Sequence, residues 1–182
     1  MSLQELWALF PIYLEKPNPL WKGWYLEEEK RLLPFLPASS IKRISHIGST
    51  AIGTIWAKPI VDILLETVSS NDFPIVERIL MGHGYRAIRR GVHSVDFNRG
   101  YTKKGFAEKV YHLHLRVQGD NKELYFRDYL ISHLEIAKEY ESLKLNLWKR
   151  YEHDRDGYTE AKGPFVNKTT ALALKAYPGK YD

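Results

Sequence analysis

Three groups of residues in this chain have side chains and spacings suited to chemistry on a phosphate. The first is His46-Ile47-Gly48-Ser49-Thr50, a β-prone run that breaks at a glycine followed by two hydroxyl residues. Glycine lets the backbone approach a ligand closely. A helix starting just after it would turn free N–H groups and a positive dipole end toward an anion, and the Ser49 and Thr50 hydroxyls add donors. A plain tight turn with Ser49 or Thr50 as helix cap is the commoner use of such a pair. The second group centres on Asp62, a carboxylate inside the apolar run Ile60-Val61-Asp62-Ile63-Leu64-Leu65. An unpaired buried carboxylate is costly, so Asp62 calls for a cation, a metal or strong hydrogen-bond donors. The third group is His112 and His114 in the alternating run Val110 to Val117. One residue apart on a strand, they face the same side, roughly 7 Å apart at ~3.3 Å per residue. Two imidazoles so placed can flank one ligand or metal. The alternative is a solvated pair on an edge strand, with Leu113 and Leu115 facing the core.

These groups need elements to position them. The pattern predicts a short helix over Leu3–Phe10, interrupted by Pro11, Pro17 and Pro19. A helix follows from Trp21 to Leu33, its acidic-then-basic order suiting the dipole and Pro34 stopping it. Ile41–Ile47 reads as a strand and Ala51–Ala57 as a short helix. Ile60–Leu65 reads as a strand buried on both faces. Asp72 can cap a helix from Phe73 to Gly82, with Gly84 just past its end. Tyr85–Val92 and Val95–Asn98 are candidate strands, Arg99–Gly105 a polar turn, and Val110–Val117 a strictly alternating strand. The remainder is helical: Lys122–Ile131, Leu134–Arg150 and, with breaks, Asp156–Tyr177. This order predicts one α+β domain, with a mixed β-sheet flanked by helices and a helical C-terminal segment.

With 182 residues, 44% of them apolar, one sizeable core is expected. The absence of cysteine excludes disulfides, thiolate metal sites and a cysteine nucleophile. No apolar run approaches the ~20 residues needed to span a bilayer, and Met1–Glu5 lacks the basic and apolar regions of a signal peptide. A cytoplasmic protein with no membrane partner is therefore expected. The net charge of +5 comes from dispersed pairs such as Lys42-Arg43, Arg89-Arg90, Lys103-Lys104 and Lys149-Arg150. Dispersed cations suit a small anion better than a nucleic-acid stripe, so RNA binding rests on charge alone.

Taken together, the motifs resemble the GrpB family. They are His46-Ile47-Gly48-Ser49-Thr50-Ala51, then Ala57-Lys58-Pro59-Ile60-Val61-Asp62-Ile63-Leu64, and Tyr111-His112-Leu113-His114-Leu115. Phe126-Arg127-Asp128-Tyr129-Leu130 and Tyr158-Thr159-Glu160-Ala161-Lys162 follow in the same order. The resemblance spans about residues 17–177 of a single domain, 1–182. It implies a nucleotidyltransferase-like fold. In that superfamily a Gly-Ser turn holds nucleotide phosphates, and carboxylates on the following strands bind Mg²⁺, which bridges those phosphates. GrpB-type domains are also fused to dephospho-coenzyme A kinase in some relatives.

By this resemblance Gly48 and Ser49 hold phosphates and Thr50 assists. Asp62, His112 and His114 form the catalytic and metal-binding set. Lys58, Arg99, Arg127 and Lys162 are candidate phosphate contacts, each also readable as a surface cation. His46 either lines the same pocket or caps the strand end. Two departures stand out. Leu64 occupies the place of the usual second acid, with Glu66 ~13 Å from Asp62 at strand spacing, and His112 or His114 occupies the region of the third acid on a later strand. One carboxylate with two imidazoles favours Mn²⁺ or Zn²⁺ over Mg²⁺. The expected function is binding of a nucleotide, a nucleoside triphosphate above all, or of another phosphate-bearing small molecule. Metal-dependent nucleotidyl transfer to a small acceptor would be the reaction. The alternative is a non-catalytic ligand-binding or regulatory module linked to coenzyme A metabolism.

Overall fold

Strand β2 (Ile60–Thr67) is the most deeply buried element, as its near-continuous apolar run requires. The computed structural model describes residue 5 and residues 8–182. Positions 3, 4, 6 and 7 of the helix expected over Leu3–Phe10 lie outside the described residues. Among those described, β2 is preceded by α1 (Leu20–Leu32), β1 (Ile41–Ile47) and α2 (Gly48–Ile52). It is followed by α3 (Phe73–Gly82), β3 (Arg86–Arg90), β4 (Ser94–Thr102), β5 (Gly105–Val117), α4 (Lys122–Ser132), α5 (Leu134–Arg150) and α6 (Arg155–Ala176). No helix among the described residues is long and apolar enough to cross a membrane.

The strands form one five-stranded sheet in the order β1-β2-β5-β4-β3. The sheet is mixed: β2 and β5 run parallel, and the other neighbours pair antiparallel. Asp62 therefore sits on an interior strand, although the central one is β5. Alternation along β2 and β5 divides the core. Val61, Ile63, Leu65, Tyr111, Leu113 and Leu115 pack on one face with Trp21 and Leu32 of α1 and Phe73, Val76 and Leu80 of α3. On the other face Leu64 packs with Ile47 and Leu124 of α4. There α2 is held by a second cluster, Ile52 and Ile55 against Phe126, Leu130, Ala137 and Tyr140 of α4 and α5. The face carrying Asp62, His112 and His114 is thus roofed by α2 and the three C-terminal helices.

Several elements differ from expectation. The helix expected over Ala51–Ala57 runs instead from Gly48 to Ile52. Gly48, at φ +72°, turns the chain out of β1 at once, and Gly53, at φ +76°, ends the helix in the left-handed conformation. Residues 99–105 are not a loose turn, because β4 continues to Thr102 and β5 starts at Gly105. Asp72 does not cap α3; its carboxylate accepts a hydrogen bond from Ser40 at 2.7 Å. Helix α6 passes through Pro164 without a break.

Candidate functional site

The parallel register of β2 and β5 places Asp62 beside His112 and Leu64 beside His114. Both imidazoles lean onto one oxygen: His112 Nδ1 and His114 Nε2 lie 3.5 Å and 3.4 Å from Asp62 Oδ1. Asp96 on β4, paired in register with His114, accepts from its Nδ1 at 3.0 Å and from Arg116 Nη2 at 2.6 Å. His114 is thus clamped between two carboxylates. Burial disfavours its charged form, but the bonds to Asp62 and Asp96 win and push it up to about 9. Burial likewise opposes ionisation of Asp62, yet the two histidines hold its carboxyl far below the usual range. His112 is shifted the other way, down, because burial dominates there. Its Nε2 meets the Tyr101 hydroxyl at 2.7 Å, and Arg155 donates to that hydroxyl at 2.9 Å.

Asp62, His112 and His114 form the floor of a cavity of about 380 Å³, with Asp96 and Tyr101 behind the histidines. Gly48, Ser49 and Thr50 form one wall, and Lys58, Lys144, Arg155 and Lys162 converge from β2's approach, α5 and α6. Gly48 packs against Asp62 so closely that a Cβ there would lie 2.5 Å from Oδ2. Lys144 is 2% exposed, donates to Ser49 Oγ at 3.0 Å and to the Trp56 carbonyl, and lies 4.8 Å from the Tyr140 ring centre. Tyr158, whose ring lies near both Lys58 and Lys162, is 1% exposed, and its hydroxyl has no hydrogen-bond partner among the described residues. Burial first, and repulsion from neighbouring cations second, pushes Lys58 and Lys144 down to about 7, and burial pushes Lys162 down to about 8 against the pull of Asp62.

Of the residues singled out from sequence, Gly48, Ser49, Thr50, Lys58, Asp62, His112, His114 and Lys162 line this cavity. Arg99 and Arg127 do not. Arg99 pairs in register with Tyr111 and so points to the opposite sheet face, where it binds buried Glu28 at 2.7 Å. Arg127 sits one residue past Phe126 on α4, a rotation of ~100°. That rotation turns it to the His46 carbonyl at 2.8 Å and to a separate cavity beyond α2. His46 lines that second cavity too, stacked on Tyr25 with ring centres 4.9 Å apart and its Nε2 2.9 Å from Thr50 Oγ1. Burial lowers its pKa to about 4.

The expected metal set does not fit a divalent ion. A metal must sit about 2.0–2.2 Å from each donor in an open geometry. Here both imidazoles are aimed at a carboxylate oxygen, and His114 has both nitrogens engaged by acids. An imidazolium has no lone pair to give. Among the described residues no group of three His, Cys, Asp or Glu side chains is disposed to hold a metal.

Sequence reasoning missed Asp96, Tyr101, Lys144, Arg155 and Tyr158. Two had legible signals. Lys144 falls on the buried stripe of α5 with Ala137 and Tyr140, and Asp96 lies between apolar Val95 and Phe97. Tyr101 had none. Strict alternation puts it on the face of Arg99, but the register shift between them, at Gly100 with φ +93°, turns it to the His112 face.

A family model described as GrpB protein matches residues 11–171. The glutamate-rich protein GrpB of Alkalihalophilus pseudofirmus is 37% identical over 153 residues, 81% of this chain and 87% of that protein. The crystal structure of the conserved protein GrpB from Enterococcus faecalis aligns with a TM-score of 0.78 at 26% identity, over 91% of this chain and 99% of that one. The Cid1 poly(U) polymerase with Mg 3′-dATP bound aligns with a TM-score of 0.55 at 8% identity, over 87% of this chain and 51% of that one. At that identity the likeness is one of fold, here the nucleotidyltransferase-like fold. The match of the family model over most of the chain, the 37% identity to one GrpB protein and the fold shared with another place this chain in the GrpB family.

Proposed function

We propose that the cavity binds a nucleotide through its phosphates. The observation that carries this is the convergence of Lys58, Lys144, Arg155 and Lys162 on the Gly48-Ser49 turn within one space of about 380 Å³. That volume lies in the range of small-molecule sites, and clustered cations with hydroxyl donors suit a phosphate chain. Lys144, already bonded to Ser49, presents one phosphate position, while Lys58 and Lys162 present another beside Tyr158. The fold is shared with the Cid1 poly(U) polymerase with Mg 3′-dATP bound, which supports this choice of ligand. Calorimetric titration with ATP, ADP, AMP and adenosine tests it. Affinity should rise with each added phosphate and be weakest for adenosine. Adenosine binding as tightly as ATP would remove the phosphates from the explanation.

Binding should also depend on pH. The three lysines lose protons in the free protein between about pH 6 and 9, given values of about 7, 7 and 8. A bound polyanion favours their charged forms and raises all three. Binding at pH 8 must therefore take up protons, and affinity must fall as pH rises through this window. Titrations in two buffers of different ionisation enthalpy measure the uptake. Zero uptake or proton release at pH 8 contradicts the lysine contacts.

A second reading, nucleotidyl transfer to a small acceptor, is favoured by Asp62, an ionised carboxylate on the cavity floor. An acceptor hydroxyl oxygen would attack the α-phosphorus, its proton passing to Asp62 and pyrophosphate leaving against the lysines. Pyrophosphate release from ATP, measured across a panel of small alcohols and amines, tests this reading separately.

A further inference from the structure

We propose that the cavity takes its ligand as an uncomplexed polyphosphate anion, without a divalent metal. This rests on the nucleotide-binding reading above and specifies the form of that ligand.

The first support is the charge balance. Four cationic side chains face the space, and its acids are Asp62 and Asp156. Asp62 is already shared by His112 and His114, and Asp156 is exposed. At pH 7 and below, where the lysines carry charge, a divalent ion entering here meets a surplus of its own sign and no uncommitted carboxylate on the floor.

The second support is a group of donors lacking acceptors. Among the described residues, the ammonium groups of Lys58 and Lys162 make no hydrogen bond to a protein acceptor. They lie 5.2 Å and 4.5 Å from the Tyr158 ring centre. The hydroxyl of the same tyrosine is buried without a partner among the described residues. Buried polar groups are normally satisfied, so the partnerless Tyr158 hydroxyl, with two half-buried lysines against its ring, marks the place of a ligand with several acceptor oxygens. A phosphate chain supplies them only if its oxygens are free. Chelation of Mg²⁺ occupies oxygens on the β- and γ-phosphates and cancels two of the chain's negative charges.

Titration of the full chain with inorganic tripolyphosphate and with ATP, each in chelator and in excess Mg²⁺, tests this directly. Both probes should bind in chelator and bind at least about tenfold more weakly with Mg²⁺. Equal or tighter binding with Mg²⁺, or binding only with metal, overturns the proposal while leaving nucleotide binding intact. No binding under either condition defeats both. The Lys58→Met/Lys162→Met variant, checked for native circular dichroism, should lose about tenfold or more in chelator and no longer distinguish the free from the complexed anion. If it distinguishes them as strongly as wild type, the lysines are not the cause. Tyr158→Phe keeps the ring near both lysines and removes only the hydroxyl. It should weaken tripolyphosphate binding about fivefold, and unchanged affinity would place the phosphates elsewhere.

Discussion

Gly48→Ala is expected to abolish ligand binding and lower the melting temperature by about 5–15 °C. Gly48 adopts φ +72°, where an L side chain costs about 1–2 kcal/mol. A Cβ there would also sit 2.5 Å from Asp62 Oδ2 and 3.1 Å from its Cβ. Asp62 cannot retreat easily, because His112 and His114 hold its other oxygen. Strain and clash together amount to about 2–4 kcal/mol, and each kcal/mol is worth roughly 2–4 °C in a chain of this size. Gly53→Ala separates the two effects. Gly53 has a similar φ of +76°, but nothing lies within 4 Å of its would-be Cβ. It should therefore lose only the conformational part, about 1–2 kcal/mol, and retain ligand affinity. Equal melting temperatures for the two variants would deny the close packing of the turn on Asp62.

Lys144→Met is expected to weaken ATP or tripolyphosphate binding about 10- to 150-fold, with little change in stability. A charge-assisted hydrogen bond to a desolvated phosphate is worth about 1.5–3 kcal/mol, which is that range of affinity. Stability responds to two opposing effects. Removing a buried amine whose pKa burial holds down at about 7 relieves a desolvation cost. Its loss also strips a donor from Ser49 Oγ and the Trp56 carbonyl. Ser49 borders a cavity that water can enter and Trp56 is half-buried, so the net change should stay within about 1 kcal/mol. A purely structural lysine gives the reverse pattern, a melting temperature several degrees lower with affinity unchanged.

Much of the frame that carries these residues was legible in the sequence, because burial leaves a periodic trace. Ile41–Ile47 and Leu134–Arg150 have the boundaries that their patterns indicate, and β2 is buried on both faces as its apolar run requires. Asp62 stood out because a carboxylate in such a run needs partners, and it has two. Less legible were contacts set by backbone turns rather than by periodicity. The positive φ of Gly48 starts α2 three residues earlier than the helical pattern indicates. The irregularity at Gly100 brings Tyr101 to the site and leaves Arg99 on the far face. Arg127 shows the limit of a motif read without its helix phase, since it faces a different cavity from Phe126 beside it. Arg155, on α6, joins the site only through tertiary packing of that helix.

A crystal structure of the protein grown with ADP tests the central claim most directly. Its two phosphates should occupy the space among Ser49, Lys144, Lys58 and Lys162, with an oxygen within hydrogen-bond reach of the Tyr158 hydroxyl. Phosphates bound instead beyond α2, against His46 and Arg127, or anywhere outside the cavity floored by Asp62, would contradict it.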